Sequence, residues 1–218
     1  MNEARLGHKD RRGERRASEN DGAAVSIATD CSGLESAVSV LRNLLGKNDV
    51  AHVFGCDNNL DVKKIVLQNF TPATWYDDIP SRCHSTAEGA DIYVAGPPCQ
   101  PFSSAGRRRG TSDVRGRIIL DVMAYVVTAK PSAVLLENVA GMLHRKFRGV
   151  YQWIKSVLKA NGYEFHRRLL NTCDHGVPQH RPRVYFVALL ADRVKHRWSW
   201  HGTRGCQLHL CSGSGLPA

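Results

Sequence analysis

The chain has 218 residues, enough for one medium domain with a sizeable core, and nothing in it requires a second. Its 30 Lys and Arg against 20 Asp and Glu leave a formal net charge of +10, which points to an anionic partner, nucleic acid first. Seven scattered cysteines, an odd number, do not form a disulfide framework and suit a reducing intracellular compartment. No apolar run is long enough to cross a bilayer, and the first residues are too charged for a signal peptide.

Residues 1–22 mix Arg, Lys, Glu, Asp, Ser and Gly with almost no apolar periodicity and read as a disordered leader. Val25 to Thr29 reads as the first strand, broken by Gly33, and Leu34 to Leu45 continues at helical spacing through Leu34, Val38, Leu41 and Leu45. Val50 to Cys56 is a second strand ending at Asp57, and Val62, Ile65, Val66 and Phe70 line one face of the next helix. Trp75 to Ile79 is expected as a short third strand and Ile92 to Ala95 as the fourth. A helix with a wide apolar face follows from Arg117 to Ala129 and stops at Pro131, ahead of a fifth strand over Ala133 to Leu136. Tyr151 to Leu158 is a further helix, ended by Asn161-Gly162, and Tyr163 to Leu170 and Val184 to Leu190 form a last pair of strands. After Ala191 the pattern dissolves. Alternating strands and helices define an α/β architecture.

The densest local signal is Gly96-Pro97-Pro98-Cys99-Gln100-Pro101-Phe102-Ser103, directly after the apolar run Ile92 to Ala95. Cys99 therefore sits in the loop leaving a strand's carboxyl end, where open α/β sheets bind ligands. Prolines fix φ and remove backbone donors, which stiffens the loop and aims the thiol. Read by itself, Cys99 is equally a nucleophile or a structural cysteine in a Pro-rich turn. Arg107-Arg108-Arg109 follows, with Arg115 and Arg117 close behind, a cationic cluster suited to phosphates. Strand, glycine turn, helix and then an acidic residue ending the next strand is the plan of a nucleoside-binding half-sheet. Asp57 lies at about the expected distance beyond Gly33 for a carboxylate that accepts ribose hydroxyls.

The order of these segments carries more than any one of them. Asp30-Cys31-Ser32-Gly33, Asp78-Ile79, Gly96-Pro97-Pro98-Cys99-Gln100, Leu135-Leu136-Glu137-Asn138-Val139 and Pro178-Gln179-His180-Arg181-Pro182-Arg183 succeed one another over about Val25 to Leu190. In this order the chain resembles the C5-cytosine DNA methyltransferase family. The resemblance implies a Rossmann-like fold: a mostly parallel sheet with an antiparallel last strand and helices on both faces. The catalytic domain would span 23–191, with 192–218 an irregular tail. It implies S-adenosylmethionine as cofactor, held by Ser32, Gly33, Asp57 on the ribose, Asp78 at the adenine amino group, Ile79, Pro97 and Ile118. For Ile118 a plain core role is an equal alternative.

The resemblance makes Cys99 the nucleophile that adds to cytosine C6, Glu137 the carboxyl group that meets N3 and the amino group, and Arg181 the brace of base and Glu–Cys pair. Gln179 and Arg183 read as scaffold. An extruded base is required, since the ring is unreachable inside a duplex. Ser103, Ser104 and Arg107, Arg108 and Arg109 are assigned to a lid that contacts phosphates, with Gly106 and Gly110 as hinges. DNA is the implied substrate and RNA, transfer RNA above all, the alternative. A third reading is a catalytically silent nucleic-acid- or cofactor-binding relative. The compartment follows as the nucleus in a eukaryote, or cytoplasm and nucleoid in a bacterial or viral setting.

Three departures from the pattern stand out. Cys31 replaces a customary aromatic, and Glu35 replaces a customary glycine, where its carboxylate favours the helix dipole and is expected to help hold the cationic cofactor. Only about 30 residues follow Arg183, too few for a target-recognition domain. The chain then reads as a fragment, a truncated product, or half of a split enzyme completed by a second chain. His196, His201, Cys206, His209 and Cys211 match no compact zinc signature, and no metal is expected.

Overall fold

The computed structural model describes residues 24–98 and 114–193, with backbone only over 114–117. Strands β1 (Val25–Asp30), β2 (Val50–Cys56), β3 (Thr74–Tyr76), β4 (Ile92–Ala95), β5 (Ala133–Val139), β6 (Tyr163–Asn171) and β7 (Pro182–Leu190) form one sheet. Their order is β3-β2-β1-β4-β5-β7-β6. All neighbours among β1 to β5 pair in parallel, whereas β7 runs antiparallel to both β5 and β6. The mostly parallel sheet and its antiparallel last strand are thus as expected.

Helices cover both faces. On one, α1 (Ser36–Leu45) buries Val38 against Ile27, Val50, Ile92 and Val94. On the other, α3 (Val114–Ala129) and α4 (Arg148–Ala160) pack Ile119, Val122, Tyr125, Ile154 and Leu158 over Ala28, Tyr93, Val134 and Leu136. Successive strand residues point to opposite faces, so β1 and β4 supply both cores. Helix α2 (Leu60–Asn69) is capped by Asn59, whose side chain accepts from the Asp61 and Val62 amides.

Element bounds moved where local chemistry outweighs periodicity. The first helix begins at Ser36 because Gly33 and Glu35 hold positive φ, 53° and 56°, which no α-helix accommodates. The third strand ends at Tyr76 instead of Ile79. There Asp77 accepts from Lys63 Nζ and Trp75 Nε1, and Ser81 Oγ and the Arg82 amide turn the chain back onto Asp78 and Ile79 carbonyls. Helix α4 starts earlier than Tyr151, at Arg148, after two short 3₁₀ turns over Ala140–Leu143 and Arg145–Phe147.

Candidate active site

Chain direction puts the functional residues at the carboxyl ends of β1, β2, β4 and β5, around the point where connections leave toward opposite sides. Two clefts open there. The first, of about 230 Å³, is lined by Cys31, Gly33, Cys56, Asp57, Asn58, Asp78, Ile79, Gly96, Pro98 and Ile118. The second is lined by residues of the β1–α1 turn, by Val94, Ala95 and Gly96, and by Glu137, Arg181 and Tyr185. Cys31, Gly33 and Gly96 border both.

In the first cleft the backbone aims Asp57. Its Oδ2 accepts from the Gly33 amide at 3.0 Å and its Oδ1 from the Asn59 amide at 3.0 Å. Each oxygen keeps a lone pair for a further donor, such as a sugar hydroxyl. Asp78 adds a second carboxylate, and Ile79, Pro98 and Ile118 supply apolar surface for a flat ring. Carboxylates for a diol and an amine, apolar plates, and negative charge for a sulfonium fit S-adenosylmethionine. Of the residues expected at the cofactor, Gly33, Asp57, Asp78, Ile79 and Ile118 line this cleft. Ile118 also packs on the core. Ser32 borders the second cleft, and Pro97 gives its carbonyl to Asn138 Nδ2 at 3.3 Å. Cys31, read from sequence as standing in place of a customary aromatic, lines the cleft, whereas Cys56, Asn58, Gly96 and Pro98 were not singled out for it. Gly96 and Pro98 could have been found as neighbours of the cysteine motif, while Cys56 and Asn58 flank Asp57.

Behind the cleft lies a buried cation. Arg82, from the loop that carries Asp78 and Ile79, forms a two-pronged ion pair with Asp30 at 2.7 and 2.6 Å. Its guanidinium stands 4.6, 5.2 and 5.1 Å from the ring centres of Phe54, Tyr76 and Tyr125, and the Tyr93 hydroxyl donates to Asp30 at 2.5 Å. This network ties the loop bearing Asp78 to the end of β1. Sequence gave no sign of it, since Arg82 sits 52 residues from its partner.

Glu35 does not face a cofactor. Its carboxylate turns inward and accepts from Thr29 Oγ1 at 2.8 Å, with His52 Nε2 3.6 Å away and both side chains fully buried. Gly55 makes the space: a Cβ there would stand 2.6 Å from Glu35 Oε1 and 3.0 Å from the Trp75 ring. Burial pushes the Glu35 carboxyl up to about 7 and the His52 imidazole down to about 4. The expectation that this carboxylate helps hold the cofactor is therefore corrected.

In the second cleft Glu137 closes β5. Arg183 Nε donates to Glu137 Oε1 at 2.8 Å, and Glu137 Oε2 lies near Gly96, where a Cβ would be 3.6 Å away. The structure thus pairs Glu137 with Arg183, which the sequence reading took for scaffold. Arg181 lines the same cleft, its amide donating to Asn171 Oδ1 at 2.8 Å. Cys99, Ser103, Arg107, Arg108 and Arg109 lie outside the described residues, as do the leader and the His- and Cys-bearing tail. The thiols of Cys31 and Cys56, which line the first cleft, are pushed far up by burial and then by Asp30. They stay protonated and are no rivals for a thiolate role.

The family model for C-5 cytosine-specific DNA methylase matches residues 31–204. The Type II methyltransferase M.NlaX of Neisseria lactamica is 33% identical over 151 residues, 69% of this chain and 48% of the relative. M.HaeII of Haemophilus aegyptius is 38% identical over 115 residues, 53% of this chain and 36% of the relative. The chain thus spans about half or less of the length of these curated relatives. Among solved structures, an Entamoeba histolytica methyltransferase, EhMeth, superposes with TM-score 0.64 at 22% identity, covering 82% of this chain and 56% of that one. The Dnmt2 methyltransferase of S. pombe gives TM-score 0.62 at 22% identity over 80% and 53%. These two show the fold. With the matched segment taking in the β1–α1 turn, both clefts and β7, the chain belongs to the C-5 cytosine-specific DNA methylase family.

Proposed function

We propose that the chain transfers a methyl group from S-adenosylmethionine to C5 of cytosine in DNA, with residues 23–191 as the catalytic unit, inside the cell. The observation that carries this reading is the junction of the two clefts at Gly96, three residues before Cys99. The chain leaves that junction through Pro97 and Pro98 toward Cys99, and Gly96 itself borders the aspartate-lined cleft on one side and the Glu137 cleft on the other.

S-adenosylmethionine, when bound, supplies an electrophilic methyl group beside the ring; Gly33, Asp57, Asp78, Ile79 and Ile118 would hold it. The Cys99 thiolate forms a bond to C6 of an extruded cytosine, which makes C5 an enamine-like nucleophile. The Glu137 carboxyl group meets N3 and the exocyclic amine as charge develops on the ring. Arg183 fixes the Glu137 carboxylate through Oε1, and Arg181 faces the same space. Once C5 carries the methyl group, loss of the C5 proton to water lets the thiolate leave C6 and restores the ring. Ser103 and Arg107, Arg108 and Arg109 would hold the flanking phosphates.

The test is a trap. A duplex carrying 5-fluorocytosine at candidate sites is incubated with S-adenosylmethionine and the purified chain, because fluorine at C5 blocks the last elimination. A denaturation-resistant adduct that disappears in Cys99→Ser supports the reading. No adduct on DNA, alongside methylation of transfer RNA, would transfer the same chemistry to RNA.

A further inference from the structure

A second basic site lies away from both clefts. Leu143, Arg145, Arg148, Tyr151, Gln152 and Arg167 line a groove of about 470 Å³ between the start of α4 and the edge strand β6. The Arg167 guanidinium lies 5.1 Å from the Tyr151 ring centre. None of Arg145, Arg148 and Arg167 has a carboxylate partner among the described residues, and the nearby Glu164 is engaged by His166 at 3.0 Å.

The charges are also set against the helix. The first turn of α4 carries no acidic residue, its N-cap Phe147 offers no side-chain acceptor, and Arg145, Lys146 and Arg148 crowd its positive end. Helix N-termini ordinarily attract carboxylates and anions, so three cations there oppose local stability unless an anion is shared among them. Planar guanidinium groups that line one groove with no carboxylate partner among the described residues suit phosphate oxygens.

Position selects which phosphate. The groove begins four residues after β5 ends, at the sheet end that bears Glu137. Strand register aligns Leu136 with Phe186 and Phe186 with Arg167, so Arg167 stands one residue row from Glu137 and two strands away, roughly 10 Å across the sheet. Paired residues share a face, which puts the groove on the α4 face and Glu137 on the other, on either side of one carboxyl edge. We infer that this groove binds backbone phosphates of the DNA whose cytosine enters the Glu137 cleft, as a second anchor separate from the Arg107 to Arg109 segment. The inference rests on the proposed DNA substrate, but its test does not depend on methyl transfer.

The measurement is binding of the full chain to a short labelled duplex by fluorescence anisotropy across a salt series. The combined variant Arg145→Ala, Arg148→Ala, Arg167→Ala is compared with Lys47→Ala, Lys64→Ala, Lys159→Ala, which removes the same charge at exposed sites elsewhere. The groove variant is expected to lose at least about tenfold in affinity, and its slope of log affinity against log salt to shrink by roughly two to three, near 0.9 per lost phosphate contact. The lysine control should keep the parent slope. An unchanged slope in the groove variant overturns the inference, and so does an equal loss in the lysine control, which would make the effect one of bulk charge. Should the triple variant misfold, Arg148→Glu alone, at an exposed position, must still weaken binding and lower the slope. The salt series reads equilibrium binding without S-adenosylmethionine and the trap reads covalent adduct, so a missing adduct and a missing groove effect are separate failures.

Discussion

Two ion pairs stand at the carboxyl ends of the strands, and they are built on opposite plans. Asp30 and Arg82 are 0% and 1% exposed, joined by two hydrogen bonds and walled by aromatic rings. Glu137 and Arg183 are 32% and 18% exposed and share one contact, leaving Glu137 Oε2 beside the open cleft. The buried pair is closed off from solvent, with both Asp30 oxygens taken by Arg82 and Tyr93, and is out of a substrate's reach. A half-exposed one keeps an oxygen for exchange. The first holds the loop of Asp78 and Ile79 in place, and the second leaves a carboxylate oxygen facing the cleft.

The sharpest way to break this contrast is to remove one partner from each pair. Arg82→Met strands a buried carboxylate and is expected to cost about 3–5 kcal/mol, read as a fall in the urea midpoint. Glu137→Ala, by contrast, is expected to change stability by less than about 1 kcal/mol, since exposed pairs contribute little. It should nonetheless slow adduct formation by about 10²–10⁴-fold, measured by quenching the 5-fluorocytosine reaction over time. A stability loss in Glu137→Ala matching that of Arg82→Met would erase the distinction. At the second pair, Arg183→Lys is expected to slow the adduct more than Arg181→Lys, because Arg183 is the one of these two that forms an ion pair with Glu137.

A second buried carboxylate sharpens the comparison, since among the described residues Glu35 has only the His52 imidazole, kept neutral by burial, as an ion-pair neighbour. Its carboxyl is raised from 4.5 to about 7 by burial, so the folded state holds a proton that the unfolded state releases between those values. Stability from this group is complete below pH 4.5 and declines as pH rises through about 7. His52, lowered from 6.5 to about 4 by burial, acts oppositely: its contribution is complete above pH 6.5 and is lost as pH falls toward 4. Glu35→Gln should therefore gain up to about 3 kcal/mol over the parent at pH 8 and less than about 1 kcal/mol at pH 5, in urea titrations at both values. Parallel curves for parent and variant would rule out the buried, protonated carboxyl.

The smallest expected effect lies at Asp57, whose neighbours on the protein are backbone amides. Asp57→Ala should weaken S-adenosylmethionine about 10- to 100-fold by calorimetry, the range for a hydrogen-bonded charged group, with the fold retained. Equal affinity in the variant would remove Asp57 from the cofactor site.

Much of the α/β order was legible because periodicity and punctuation are local. Alternating apolar residues, Gly33, Pro131 and Asn161-Gly162 mark elements without knowledge of their neighbours, and β1, β2 and β4 emerged nearly as read. Motif order likewise placed Asp57, Asp78 and Glu137 at strand ends, where both clefts formed. Bounds failed where side chains far apart in sequence decide, as at Tyr76, where Lys63 draws Asp77 out of the strand.

By itself, then, the sequence determined the alternation of elements, the family and the residue types at the sheet's carboxyl edge, because these depend on spacing along one chain. Only the tertiary structure decided which charges meet. Arg82 reaches Asp30 across 52 residues, Arg183 rather than Arg181 reaches Glu137, and Glu35 turns into the core because Gly55 on the next strand leaves room. Pairing of charges follows strand register and side-chain direction, and neither is fixed until the sheet has assembled.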